Sequence, residues 1–379
     1  MNKESDLRFT IIGLGNLMEA IFPCIADIVG QEKLFRQVNA TTADETDLKR
    51  KEMSLGIKVI LDDNLKALKE MEPDIILFAP PPSVAQRIIQ NEFKEYFEYI
   101  RSKSLSLADI YSFPPVPPGS FYNDILGDDV LVVNIIPNTV RTIMGKPLIR
   151  EGVSICTFST DWPRERIDRL EKIISPLGIV VDLRPQELLP LLGAGVMVHV
   201  LPEVVISITD KLEEKRDKAE HQQLAKYMRA RFQQETGFQP EENGFCIPDL
   251  VETHLQPALD AVILGWYEGL LQYCLEMKFS QERTVRILNP MIDHQLHVLH
   301  GERRDVIERN AKIEATKGGV LEKGTQVFHE SIEPLIAKGL EELPITRRDE
   351  LQQSLLSRVK ETAYRVQEHA KTLANLREE

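Results

Sequence analysis

The chain has 379 residues, 42% hydrophobic and 28% charged, with a formal net charge of −13. That is enough length for one large or two ordinary domains around a sizeable core. The acidic balance argues against a nucleic-acid footprint or an anionic membrane surface as the main partner. The four cysteines, Cys24, Cys156, Cys246 and Cys274, form no CxxC pair. This argues against a disulfide framework or a cysteine-built zinc site and fits a reducing, cytoplasmic setting. No apolar run reads as a bilayer span, and MNKESDLRFT leads into the first strand with no room for a signal peptide.

Arg8 to Gly13 (RFTIIG) predicts a short strand, and Asn16 to Gly30 a largely apolar helix distorted by Pro23. Val38 to Thr42 reads as a second strand, Asp63 to Met71 as a helix, and Asp74 to Ala79 (DIILFA) as a buried strand. Val84 to Ile100 has helical spacing, and two proline clusters, at 80–82 and 113–118, punctuate the chain. Val130 to Ile136 is a continuous apolar run that suits a parallel strand covered on both faces. A strand over Val153 to Phe158, a helix over Pro163 to Ser175 and a strand over Ile179 to Leu183 complete the alternation. The expected fold is α/β: a Rossmann-type, doubly wound parallel sheet over residues 1–184.

Near Arg184-Pro185 the pattern turns helical, which predicts an all-helical domain over 185–379 with a charged insertion at about 213–255. Leu188 to Leu212 reads as a helix, Glu213 to Arg231 as a solvated helical arm, Thr236 to Asp249 as a loop, and Pro257 to Met277 as a buried helix. Arg347 to Leu376 carries Leu351, Leu355, Val359, Ala363, Val366, Ala370 and Leu373 in steps of four and three, one apolar face that needs a covering surface.

The chemistry begins at IIGLGNLMEAI, residues 11–21, where two glycines follow a strand and open a helix. In a dinucleotide turn the first glycine permits the bend and the second lets the backbone approach the pyrophosphate. The third small residue lets the helix pack on the sheet. Gly13 and Gly15 fill the first two places and Asn16 and Leu17 supply the first helical amides, while Met18 stands at the third. After the second strand, Thr41 and Thr42 stand where an acid would select NAD, and Lys49, Arg50 and Lys51 follow. Hydroxyls with cations suit a 2′-phosphate, so NADP is expected over NAD, although a plain solvated charge run explains the cations equally well.

Several spaced segments resemble pyrroline-5-carboxylate reductases. GLGNLMEAI resembles their GxGNMxxAI, PDIILFAPP their fourth-strand segment, and NIIPNTV at 134–140 their RVMPNTP. LLGAGV at 191–196 resembles their SGSGPA, and TKGGVLEKG at 316–324 their PGGTTxxGL. The segments occur in the family's order. The resemblance implies hydride transfer between a nicotinamide cofactor and a small cyclic imine bearing a carboxylate, in a homodimer built through the helical domain. It places Ala79, Pro80 and Asn138 beside the cofactor, and Thr139, Gly193, Gly195, Lys317, Gly318 and Gly319 around the substrate. The departures fall in the substrate segments: Asn134 replaces an arginine, Lys317 a proline, and Val320 and Leu321 the paired threonines that hold the carboxylate. A different small-molecule substrate is therefore expected. Two rival expectations are a hydroxy-acid dehydrogenase, with Lys317 or His199 as its acid, and a non-catalytic Rossmann binding or assembly protein.

His294, His297 and His300 recur at steps of three, and His199 and Glu203 at a step of four. The first set lacks the i, i+4 pairing of zinc helices, so no metal is expected. The second reads as a helix-surface pair.

Overall fold

The computed structural model describes residues 6–114, 117–137, 142–143, 146–147, 153–175, 178–214, 220–239, 253–314, 319–342 and 347–375. The chain divides into two compact units, Met1–Val140 with Pro147–Pro185, and Arg141–Lys146 with Gln186–Glu379.

The first unit is built on an eight-stranded sheet. Its strands are β1 (Phe9–Ile12), β2 (Val38–Thr42), β3 (Lys58–Leu61), β4 (Ile75–Phe78), β5 (Asp109–Ser112) and β6 (Val132–Pro137). After the short strands β7 (Thr142–Ile143) and β8 (Lys146–Pro147), which pair with each other, come β9 (Val153–Phe158) and β10 (Ile179–Leu183). The sheet order is β10-β9-β6-β5-β4-β1-β2-β3. Strands β3 to β6 run parallel in the doubly wound order 3-2-1-4-5-6. The expected all-parallel sheet is corrected at one edge, where β9 pairs antiparallel to β6 and β10 parallel to β9. Among the described residues between β6 and β9 there is no crossover helix of the kind that joins parallel neighbours.

Helices α1 (Asn16–Val29), α2 (Leu34–Gln37), α3 (Leu48–Leu55), α4 (Asn64–Met71), α5 (Pro82–Ile88), α6 (Lys94–Ser102), α7 (Gly119–Leu126) and α8 (Arg164–Ile174) cover the faces. A π turn, Ile89–Phe93, joins α5 to α6 in one helical run. α1 continues through Pro23, which is exposed. One core holds Phe9, Ile11, Leu77 and Tyr111 with Met18 and Ile25; the other holds Ile12, Ile76 and Phe78 with Phe93 and Phe97. β3, β5 and α3 have no counterpart among the predicted elements. β5 reads DIYS, with buried Asp109 and Ser112 masking its strand pattern. Asp109 is tolerated because Arg166 donates to it at 2.7 Å, yet burial still raises its carboxyl above the usual range.

The second unit is helical: α9 (Pro185–His199), α10 (Leu201–Glu214), α11 (His221–Thr236), α12 (Gln256–Glu276), α13 (Gln281–Gly301), α14 (Arg304–Glu314), α15 (Val320–Val327), α16 (Glu333–Glu341) and α17 (Arg348–Asn375). The run Glu187–Glu214 is long and apolar enough to cross a membrane by length and composition, which corrects the sequence expectation. However, 78% of that window is buried inside the protein, as in a core helix.

The apolar face of α17 is covered within the chain. Leu355, Val359, Ala363 and Val366 are fully buried, and α17 packs along α12. Gly265 and Gly269 let the two backbones close: a Cβ at either would lie 2.7 Å from a carbonyl of α17, those of Gln352 and Leu356. The stripe therefore does not call for a second copy.

The predicted solvated arm is also corrected. Its described C-terminal part is α11, with Leu224, Tyr227, Met228 and Phe232 buried. Two of its arginines are matched from other helices. Arg229 donates to both Asp293 carboxylate oxygens, at 2.9 and 2.7 Å, and Arg231 lies 3.3 Å from Asp260.

Candidate functional site

β1 passes into α1 through Gly13-Leu14-Gly15. Gly13 has φ +87°, and a Cβ there would sit 2.8 Å from backbone atoms of Ala79 and Pro80, so neither the conformation nor the space admits a side chain. Gly15 differs: φ −103° and ψ −170° are open to any residue, and a Cβ would meet nothing within 4 Å. The Gly15 N–H donates to the Gly13 carbonyl at 2.9 Å, and the first α1 bond runs from the Glu19 N–H to the Gly15 carbonyl at 3.0 Å. The amides of Asn16, Leu17 and Met18 precede that bond, and no side chain caps the helix. Three forward amides and the helix dipole make a cradle for an anion. Met18, at the third fingerprint place, is fully buried in the core with Phe9 and Ile11, so it packs on the sheet.

The turn lies at the topological switch. β1 and β4 are the neighbours at which the strand order reverses, and their carboxyl ends carry the glycine turn and Ala79-Pro80. Ligands of open α/β sheets bind at that position.

Thr41, expected beside the cofactor, lies at the carboxyl end of β2. Its hydroxyl is buried, donates to Asn64 Oδ1 at 2.6 Å and lies 3.4 Å from the Gly13 N–H. It braces the turn from beneath. Thr42 is also buried, and its hydroxyl accepts from the Asp44 N–H at 3.2 Å.

In the basic run Lys49 and Arg50 are exposed, as a solvated charge run would be, and Lys51 is buried. Arg50 donates to both Asp47 oxygens, at 2.6 and 2.7 Å, and to Glu19 at 3.3 Å. The Arg50 hydrogen bond pulls the Asp47 carboxyl down to about 2. Lys51 is only 5% exposed, and its ammonium donates to the Leu14 carbonyl at 2.6 Å, with Glu19 and Asp47 each 3.5 Å away. Sequence reasoning missed this contact, because a lysine in a KRK run carries no mark of burial.

Asn134 holds the chain after β5. Its amide nitrogen lies 3.3–3.4 Å from the Ser112 hydroxyl and from the carbonyls of Pro114 and Pro117. The Ser112 and Tyr122 hydroxyls are 2.6 Å apart. Asn138 and Thr139 lie outside the described residues, as do Lys317 and Gly318.

In the helical unit Gly193 is a packing glycine, since a Cβ would lie 2.6 Å from the Tyr273 hydroxyl and 2.7 Å from the Ala363 carbonyl. A Cβ at Gly195 would lie 3.5 Å from Met291, ordinary contact. Gly319 opens α15, placing half-buried Val320 and Leu321 in its first turn. His199 ends α9 and Glu203 lies in the first turn of α10, so they do not share a helix. His294 is buried, and among the described residues no cluster of histidine, cysteine or acidic side chains is arranged to hold a metal ion.

No family model matches the chain, and no curated protein matches it by sequence. Solved structures are similar to the chain at low identity and low TM-score. A pyrroline-5-carboxylate reductase from Coxiella burnetii is 14% identical, covering 91% of this chain and 98% of its own, with a TM-score of 0.38. The Plasmodium falciparum pyrroline carboxylate reductase with NADP bound is 12% identical over 95% and 99%, at 0.37. A glycerol-3-phosphate dehydrogenase from Coxiella burnetii is 11% identical over 93% and 98%, at 0.41.

Proposed function

We propose that this chain is a nicotinamide-dinucleotide-dependent oxidoreductase, resembling pyrroline-5-carboxylate reductase in layout and acting on a different small imine or related substrate. The observation that carries the cofactor is the turn at Gly13-Leu14-Gly15. It stands at the switch point, with open space above Gly15 and three forward amides at the start of α1. Those amides would hold the pyrophosphate, and Ala79-Pro80 would wall the same crevice. When bound, the nicotinamide supplies the hydride. The protein's part is to hold and orient, and positioning supplies much of the rate of such a transfer.

NADP over NAD remains part of this proposal, resting on the absence of an acid at Thr41 and Thr42. A homodimer through the helical unit and a cytoplasmic location belong to it as well. The dimer's interface is not the α17 stripe, which α12 covers. Titration of the protein with NADPH and NADH, followed by quenching of tryptophan fluorescence, tests the proposal. Saturable binding with NADPH the tighter is expected, and binding of neither nucleotide overturns it.

A further inference from the structure

We propose that Lys51 is a positioning residue for the dinucleotide turn, setting the peptide between the two glycines from the buried side. This rests on the cofactor reading above. The peptide between Leu14 and Gly15 is fixed at both ends. Its N–H donates to the Gly13 carbonyl at 2.9 Å, and its carbonyl accepts from the Lys51 ammonium at 2.6 Å. Lys51 reaches it from α3, an element with no other bond to the turn among the described hydrogen bonds. A lysine 5% exposed is unusual, and burying it is costly unless its charge is matched. Here it is matched twice, by Glu19 in the first turn of α1 and by Asp47, each at 3.5 Å.

The same cluster solves an electrostatic problem. Glu19 lies one turn into the helix whose N-terminus would face a diphosphate, and a free carboxylate there repels phosphate. Lys51 and Arg50 both approach it, at 3.5 and 3.3 Å. They offset its charge from the flank, leaving the helix amides to act on the anion. Lys51 therefore acts through the Leu14 carbonyl and Glu19, with no need to touch the ligand itself.

The pyrophosphate is common to both nicotinamide nucleotides, so the two should respond alike. The test measures dissociation constants of NADPH and NADH for the full-length wild type, Lys51→Met and Lys51→Arg, with thermal melting in parallel. Lys51→Met is expected to weaken both nucleotides by a similar factor, about tenfold or more, while still melting cooperatively. Lys51→Arg, which keeps charge and donors, is expected to recover most of the affinity. If Lys51→Met does not fold, Lys51→Gln takes its place, keeping one neutral donor for the Leu14 carbonyl; an intermediate loss shared by both nucleotides is then expected. Unchanged affinity in a folded variant that lacks the ammonium overturns the proposal. So does a loss confined to NADPH, which would make Lys51 a 2′-phosphate contact. A wild type that binds neither nucleotide overturns the cofactor reading and this proposal together.

Discussion

Two glycines one residue apart do opposite work, and substitution separates them. Gly13 is required by the fold: φ is +87°, and a Cβ would lie 2.8 Å from the Ala79 and Pro80 backbone. Gly13→Ala is expected to lower stability by about 1–3 kcal/mol, read from the midpoint of urea unfolding. Gly15 has ordinary extended dihedrals and nothing within 4 Å of a Cβ. Gly15→Val should therefore melt like the wild type while losing nucleotide binding, because the new side chain fills the space above the helix amides. Unchanged NADPH affinity in that folded variant would remove the pyrophosphate site. The GxG spacing marks both positions in the sequence, but only the neighbours of each reveal which one the fold requires and which has open space above it.

At the scale of elements, α11 shows how charged residues come to be buried. Arg229 meets Asp293 across 64 positions of sequence, and both are largely shielded from solvent. Arg229→Met should cost about 3–5 kcal/mol in urea unfolding by taking the cation from a buried carboxylate that keeps the Gln233 amide, at 2.6 Å, as a donor, and adding Asp293→Leu should recover part of it. His300, on α13, titrates low because it is half-buried and faces Lys226, His297 and Arg229. Its folded pKa lies below the ordinary 6.5, so the unfolded chain binds the proton more readily. The stability it contributes is complete above 6.5 and is lost as the pH falls through the folded value. His300→Gln should shrink the difference in urea midpoint between about pH 7.5 and about pH 5.5. α17 belongs to the core of its unit through Leu355, Val359 and Ala363. Removing residues 346–379 is therefore expected to unfold the helical unit, seen as loss of cooperative melting, and not merely to dissociate an oligomer.

For the whole molecule, the substrate is where the sequence departs furthest from the family it resembles. Val320 and Leu321 stand in the first turn of α15 in place of two threonines, and neither side chain can hydrogen-bond a carboxylate. Pyrroline-5-carboxylate should be reduced poorly, and Val320→Thr with Leu321→Thr together should raise its turnover; efficient wild-type reduction would instead mark a plain reductase. The alternation of strands and helices, the glycine turn and the helical second half were legible in the sequence, because each is written in local periodicity and in the special dihedrals of glycine. β5 was not, since its buried Asp109 is acceptable only beside Arg166 and Arg169, brought back from α8. The same holds for the α11 cations, the cover over α17 and the grip of Lys51 on Leu14. Local sequence determined which segments could form and which turn could face a phosphate. Tertiary structure alone decided which charges are buried and which apolar faces are covered, because both depend on partners supplied by distant elements.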